Sequence, residues 1–165
     1  MPVEIRAVVI TASDRSARGE RADESGEVLS RLLEEAGAVV VAREILPDDL
    51  DTLAARLRAY ADRPDVNLIL TTGGTGLSPR DHTPEATRAV IEREVPGLPE
   101  AMRAETLSQT PTAMLSRAVC GTRSGTLIVN LPGSPKGVRE CFAVIQPVLP
   151  HALALLTDSP GHDPH

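Results

Sequence analysis

Residues Thr71 to Thr87 read TTGGTGLSPRDHTPEAT, and the rest of the chain can be placed outward from them. An apolar run (Val66, Leu68, Ile69, Leu70) ends on this stretch. Gly73, Gly74, Thr75 and Gly76 follow, then an isolated acid, Asp81. Thr83-Pro84-Glu85 opens a helix, with Thr83 as the expected cap and Pro84 in the first turn. The order is strand, glycine loop, helix start, with a carboxylate inside the loop. Glycines let backbone N–H groups face an anion without a side chain in the way. A helix N-terminus adds partial positive charge at the same place. An acid there would repel a phosphate unless a cation lies between them. The stretch therefore predicts a phosphate site that works with a metal ion.

Two common phosphate loops do not fit. A Walker loop needs Lys and Ser/Thr after its last glycine, and Gly76 is followed by Leu77-Ser78-Pro79. A dinucleotide fingerprint needs a third glycine three residues after the second, where Pro79 stands.

Upstream, Arg6–Thr11 (RAVVIT) predicts a central strand buried on both faces, with Ser13-Asp14-Arg15 at its end. Val28, Leu29, Leu32, Leu33 and Ala36 then share one helical face, stopped by Gly37. Ala38–Leu46 reads as a strand. A helix begins at Pro47-Asp48-Asp49, turns Leu50, Leu53, Leu57 and Tyr60 inward, and ends at Arg63-Pro64. Downstream, Pro96–Leu107 predicts a helix, Arg117–Gly121 and Thr126–Leu131 strands, and Ser134-Pro135 the start of a last helix. Its inward face is Val138, Phe142 and Ile145, and Pro147 and Pro150 must interrupt it. Strands alternating with helices give an α/β layered fold around a mainly parallel sheet. Ligands of such sheets bind beyond the carboxyl ends of the strands. Ser13-Asp14, Asp48, Gly73–Asp81 and the run Asn130-Leu131-Pro132-Gly133-Ser134-Pro135 are expected there together.

The 165 residues suit one domain, and the tail Ser159–His165 reads as loose, with His162 and His165 in it. A net charge of −6 argues against general affinity for nucleic acid or anionic membranes. One Tyr, one Phe and no Trp leave nothing on which to stack single-stranded bases. Cys120 and Cys141 lack metal-like spacing and read as buried reduced thiols. No apolar run reaches the roughly 18 residues of a membrane span, and no signal core follows Met1, so a cytoplasmic location is expected.

Asp48 has two readings from sequence. It is either an N-cap, a role Asp49 could fill equally, or one of two carboxylates with Asp81. Two carboxylates plus phosphate oxygens and water suit Mg²⁺; they suit an acid–base pair as well. Gly133-Ser134-Pro135-Lys136 is either a second anion loop, with Lys136 adding charge, or a capped helix start. His82 reads as a loop residue.

These residues resemble a known family. TTGGTG followed by Arg80-Asp81-x-Thr83-Pro84 is similar to the signature of the MogA/MoaB proteins of molybdenum cofactor biosynthesis. Ser13-Asp14-Arg15 with Gly19, Asp23, Ser25 and Gly26, then Pro47-Asp48, Thr112–Arg117 (TAMLSR) and Leu131–Lys136 match further family segments in order. The likeness spans nearly the whole chain, residues 1–158. It implies an α/β/α sandwich assembled as a homotrimer. It also implies adenylylation of molybdopterin by ATP with Mg²⁺, releasing pyrophosphate, and other molybdenum cofactor enzymes as possible partners. The family's catalytic, metal-binding acids map onto Asp48 and Asp81. Nucleotide and pterin contacts map onto Ser13, Asp14, Gly73, Gly74, Thr75, Gly76, Ser116, Asn130, Pro132, Gly133, Ser134 and Lys136. His82 stands where relatives often carry a small apolar residue. The short chain is closer to the MoaB type, some members of which lack the acids and have no clear activity, so a non-catalytic pterin-binding or scaffold protein is the alternative. A related nucleotide pyrophosphatase is a further alternative, against which the single-domain length counts.

Overall fold

Alternation along the strands sorts the core into two layers. The computed structural model describes residues 2–157, so the expected loose tail lies outside the described residues. Its sheet has the order β2-β1-β3-β6-β5-β4. These strands are β1 (Arg6–Ala12), β2 (Val39–Leu46), β3 (Leu68–Thr72), β4 (Arg93–Glu94), β5 (Cys120–Arg123) and β6 (Thr126–Leu131). β2, β1, β3 and β6 are parallel neighbours. β5 runs antiparallel to β6, and β4 antiparallel to β5.

Successive strand residues point to opposite faces. Ala7, Val9, Leu68, Leu70, Leu127 and Val129 therefore share one face with Leu29 and Leu33 of α2 (Glu24–Glu35). Met102 of α5 (Gly97–Thr106), Phe142 and Ile145 of α6 (Pro135–Ile145) and Leu153 of α7 (Leu149–Leu156) pack there too. Val8, Ile10, Ile69 and Ile128 take the other face, under Leu53 and Leu57 of α3 (Leu50–Ala61) and Ala86 and Val90 of α4 (Thr83–Val90). The result is a three-layer α/β/α sandwich around a mainly parallel sheet. A short α1 (Asp14–Ala17) follows β1 directly.

Several local expectations shift. Ala36 is exposed at the C-cap of α2 and not on its inward face. The strand expected over 117–121 begins only at Cys120, because Val119 N–H donates to the Asn130 side chain (3.0 Å) and Arg117 turns elsewhere. Pro147 and Pro150 do divide the last helix: a 3₁₀ turn, Gln146–Val148, separates α6 from α7. Both cysteines are buried and free; burial pushes the Cys120 thiol up to about 12 and Cys141 to about 11. Among the described residues no helix is long and apolar enough to cross a membrane.

Strand order reverses direction at β1. The chain leaves β1 for β2 on one side, then returns through α3 to β3 on the other. Such a switch point opens a crevice at the strands' carboxyl ends. The segments following β1 and β3 diverge here.

Candidate active site

Two backbone loops meet at this crevice and form its floor. Gly73 follows β3 with φ +95°, and a Cβ there would collide with the Ala12 carbonyl of β1. Gly74 has φ +70°, and a Cβ there would run into the Thr83 hydroxyl. Only glycine meets both demands at low cost. The second loop, after β6, lies against the first. Thr72 Oγ1 donates to the Pro132 carbonyl (2.6 Å), and Gly73 N–H donates to Leu131 O (3.3 Å). Thr83 is not the cap of α4. Its hydroxyl donates to Gly73 O (2.9 Å), and its N–H donates to Gly74 O (3.2 Å), tying the helix start back onto the glycine turn. His82 takes the N-cap position and makes no side-chain cap bond.

The paired loops divide two clefts. The smaller, about 190 Å³, is polar and lies between β1 and β3; Ser13, Asp23, Asp48, Gly73, Gly74 and Asp81 line it. The larger, about 460 Å³, lies on the other side, lined among others by Thr75, Leu77, Met102, Ser116, Asn130 and Ser134. Gly76, Pro132 and Lys136 border the larger cleft and Gly133 the smaller. Every site residue expected from sequence except Asp14 thus borders one of two adjoining clefts. Asp14 sits one bond behind the polar one, against Asp48.

Asp14 and Asp48 clasp each other through the backbone. Asp14 N–H donates to Asp48 Oδ2 (3.0 Å), and Asp48 N–H donates to Asp14 Oδ1 (2.9 Å). Arg80 grips Asp14 with two nitrogens at 3.0 and 2.9 Å and holds its carboxyl below the usual range. Asp48 is not the cap of α3. Asp49 fills that role, accepting from Thr52 N–H at 2.9 Å. Asp48 Oδ1 is buried and has no hydrogen-bond partner among the described residues. Desolvation raises the Asp48 carboxyl, and the charges of Asp14 and Asp81 add to the rise. The Asp14 N–H and Arg80 offset it only in part. A buried carboxylate oxygen without a partner is costly, and a cation would relieve it.

No group of three or more metal-ligating side chains clusters among the described residues. Asp48 and Asp81 bordering one polar cleft still fit Mg²⁺, which takes one or two carboxylates and completes its shell with phosphate oxygens and water.

The remaining expected residues divide between structural work and the clefts. Ser13 caps α1, accepting from Ser16 N–H (3.1 Å), and Ser134 caps α6, accepting from Gly137 N–H (3.0 Å). A capping hydroxyl keeps its own proton free to donate. Asn130 is fully buried: Oδ1 accepts from Val119, and Nδ2 donates to Thr71 and Thr87, both at 3.0 Å. It braces β3 and α4 behind the larger cleft. The exposed Lys136 ammonium lies 3.8 Å from Glu140. Ser116 Oγ accepts from Ala118 N–H at 3.3 Å. Arg117, which the sequence marks only as the end of the family segment Thr112–Arg117 and the start of an expected strand, reaches the loop carrying Asp81.

The profile of the family described as "probable molybdopterin binding domain" matches residues 8–151. The chain belongs to the MogA/MoaB family. It is 40% identical over 150 residues to a molybdopterin adenylyltransferase of Helicobacter pylori, covering 90% of this chain and 85% of that protein. It is 46% identical over 151 residues to the molybdenum cofactor synthesis protein cinnamon of Drosophila melanogaster, covering 91% of this chain but spanning only 25% of that longer protein. The crystal structure of the molybdopterin biosynthesis enzyme MoaB from Thermus thermophilus superposes with a TM-score of 0.88 at 51% identity, covering 94% of this chain and 98% of that one. Family relatives thus carry both adenylyltransferase and MoaB names, and the chain's place is in molybdenum cofactor biosynthesis.

Proposed function

We propose that the protein is a molybdopterin adenylyltransferase. A molybdopterin phosphate oxygen attacks the α-phosphorus of ATP. One P–O bond forms there, the bond to the terminal diphosphate breaks, and pyrophosphate leaves. The observation that carries this reading is the orphaned, buried Asp48 Oδ1 beside Asp81 in a glycine-floored polar cleft. A purely structural aspartate has no use for such an oxygen. Bound Mg²⁺ would supply charge neutralisation on the phosphates as pyrophosphate departs. Asp48 and Asp81 would hold it. Asp14, clamped by Arg80, fixes the Asp48 backbone, so the carboxylate is aimed before substrate arrives. The Gly73–Gly76 loop and the Ser134 hydroxyl at the start of α6 would receive phosphates. The larger cleft has the volume of a small-molecule pocket and suits a heterocycle; Ser116 and Lys136 at its border can add polar contacts.

Incubation of the protein with molybdopterin, ATP and Mg²⁺ should yield adenylyl-molybdopterin and pyrophosphate in equal amounts. Tight pterin binding with no product would replace this reading with a binding-only role of the MoaB type. A homotrimer belongs to the same proposal. Exposed Leu77 (65%) and Leu115 (47%) at the larger cleft, with exposed Met114 (64%) next to Leu115 in the chain, are apolar surface that an interface could cover. Light scattering that reports a monomer at micromolar concentration would refute the trimer.

A further inference from the structure

From Gly73 to His82 the chain has no helix or strand, yet this segment holds Asp81. The Asp81 carboxylate accepts one hydrogen bond among the described residues, from Ser78 N–H at 3.1 Å, inside the same loop. Its place in the cleft is therefore set by whatever holds the loop. Thr83, just past the loop's far end, ties back to its start at Gly73 O and Gly74 O. The middle is held at two places: Arg80 is tied to Asp14 (3.0 and 2.9 Å), and Arg117, from a distant segment, takes the loop's carbonyls. Arg117 N–H donates to Thr75 O (2.8 Å), its Nε to Gly76 O (2.8 Å) and its Nη2 to Asp81 O (2.9 Å). Its Nη1 contacts the Glu85 carboxylate in the first turn of α4. Gly76 and Asp81 are close: a Cβ at Gly76 would stand 3.0 Å from Asp81 Oδ2. A fork that fixes the carbonyls of both residues fixes the carboxylate above them.

We propose that Arg117 is a positioning residue for Asp81, holding the catalytic loop at Thr75, Gly76 and Asp81 while anchored on Glu85. Its activity readout rests on the adenylyl-transfer reading; its structural readout does not. A planar guanidinium presents several donors in one rigid fork, and a lysine ammonium cannot reproduce that geometry. Arg117 acts through the loop backbone, with its charge balanced by Glu85.

The test compares wild type, Arg117→Ala and Arg117→Lys as full chains. In both variants kcat should fall on the order of 100-fold, the cost of displacing a reacting group by about 1 Å. The KM for molybdopterin should hardly move, and the Mg²⁺ concentration for half-maximal rate should rise. Methylguanidinium should restore part of the Arg117→Ala rate and none of the Arg117→Lys rate. Amide hydrogen exchange over residues 74–82 should accelerate in both variants, with exchange in β1 and β6 unchanged. Wild-type kcat in either folded variant, or a loss confined to KM, would overturn the proposal. If wild type itself makes no adenylylated product, the functional reading fails, and the exchange measurement still decides: unchanged protection over 74–82 overturns the clamp, lost protection upholds it. If Arg117→Ala does not fold, Arg117→Lys carries both measurements.

Discussion

Asp23 and Asp48 border the same polar cleft, each at the entrance to a helix, yet their surroundings are opposite. Asp23 leads into α2 with both oxygens engaged. Oδ1 accepts from Gly26 N–H (3.1 Å), while Oδ2 accepts from the Thr11 hydroxyl and Arg43 Nη2, both at 2.9 Å. Its side chain is 3% exposed and balanced by a cation. Asp48, before α3, has one oxygen on Asp14 N–H and the other buried without a partner among the described residues, and the nearby charges of Asp14 and Asp81 outweigh that of Arg80. The same residue type thus serves the fold at one corner and is left strained at the other. Groups that cost the native state and persist are where function is expected.

The sharpest way to break this comparison is substitution at the strained corner. Asp48→Asn and Asp81→Asn should each reduce adenylylation by several orders of magnitude, as expected when a group fixing the metal and phosphates is lost. Both should keep the fold and most pterin binding. Near-normal product formation by either variant would remove the two-carboxylate site.

At the satisfied corner the effect should fall on stability. Asp23→Ala removes the cap of α2 and strands the buried Thr11 hydroxyl and part of the Arg43 charge. We expect a loss of about 2–4 kcal/mol, or a drop in melting temperature of roughly 5–15 °C for a domain of this size. A variant that melts like wild type would show that Asp23 is no more structural than Asp48.

The pH dependence of Asp48→Asn sharpens the contrast further. The Asp48 carboxyl is raised in the fold, so the native state binds its proton more tightly than the unfolded chain. Its contribution to stability is complete below the unfolded value, ~3.9, and is lost as pH rises through the folded value. At neutral pH the ionised group is a net cost. Asp48→Asn should therefore melt at or above wild type near pH 7, and that advantage should vanish in acid, where wild-type Asp48 is protonated. Melting curves from pH 4 to 8 check the sign; an advantage that grows in acid would contradict it.

The layers and the converging loops were legible because they follow local rules. Period-two strands, helical faces, the Ser134 cap and the glycine turn each depend on neighbours within a few residues. The site's finer assignments depend on partners far along the chain. Which of Asp48 and Asp49 caps α3 is decided by Asp14, whose N–H and carboxylate engage Asp48 from across the switch point. Thr83 has the sequence look of a cap, but the turn at Gly73 brings a carbonyl to its hydroxyl. Asn130 borders the larger cleft, and the partners that hold its amide, Val119, Thr71 and Thr87, come from other segments of the chain. Arg117 closes on residues 36 and 41 positions away, and no periodicity encodes such a reach. The pterin itself came from family resemblance; residue chemistry alone reached only a phosphate and metal cleft.

The smallest expected effect is also the cleanest control. Asp49 neighbours Asp48 and carries the same carboxylate, but its Oδ2 accepts from both Thr52 N–H (2.9 Å) and the Thr52 hydroxyl (2.6 Å), facing solvent. Those bonds hold its carboxyl below the usual aspartate range, the opposite direction from Asp48. Asp49→Ala should cost about 1 kcal/mol, the usual value of an N-cap, and lower the melting temperature by roughly 2–4 °C. Adenylylation measured well below that temperature should be unchanged, because the cap holds the first turn of α3 while Asp14 holds Asp48. Paired with Asp48→Asn, which should keep stability and lose turnover, the two variants separate cap from catalyst at adjacent positions. A comparable loss of turnover in Asp49→Ala would mean that the helix start, and not the unpartnered Asp48 oxygen, is what the reaction requires.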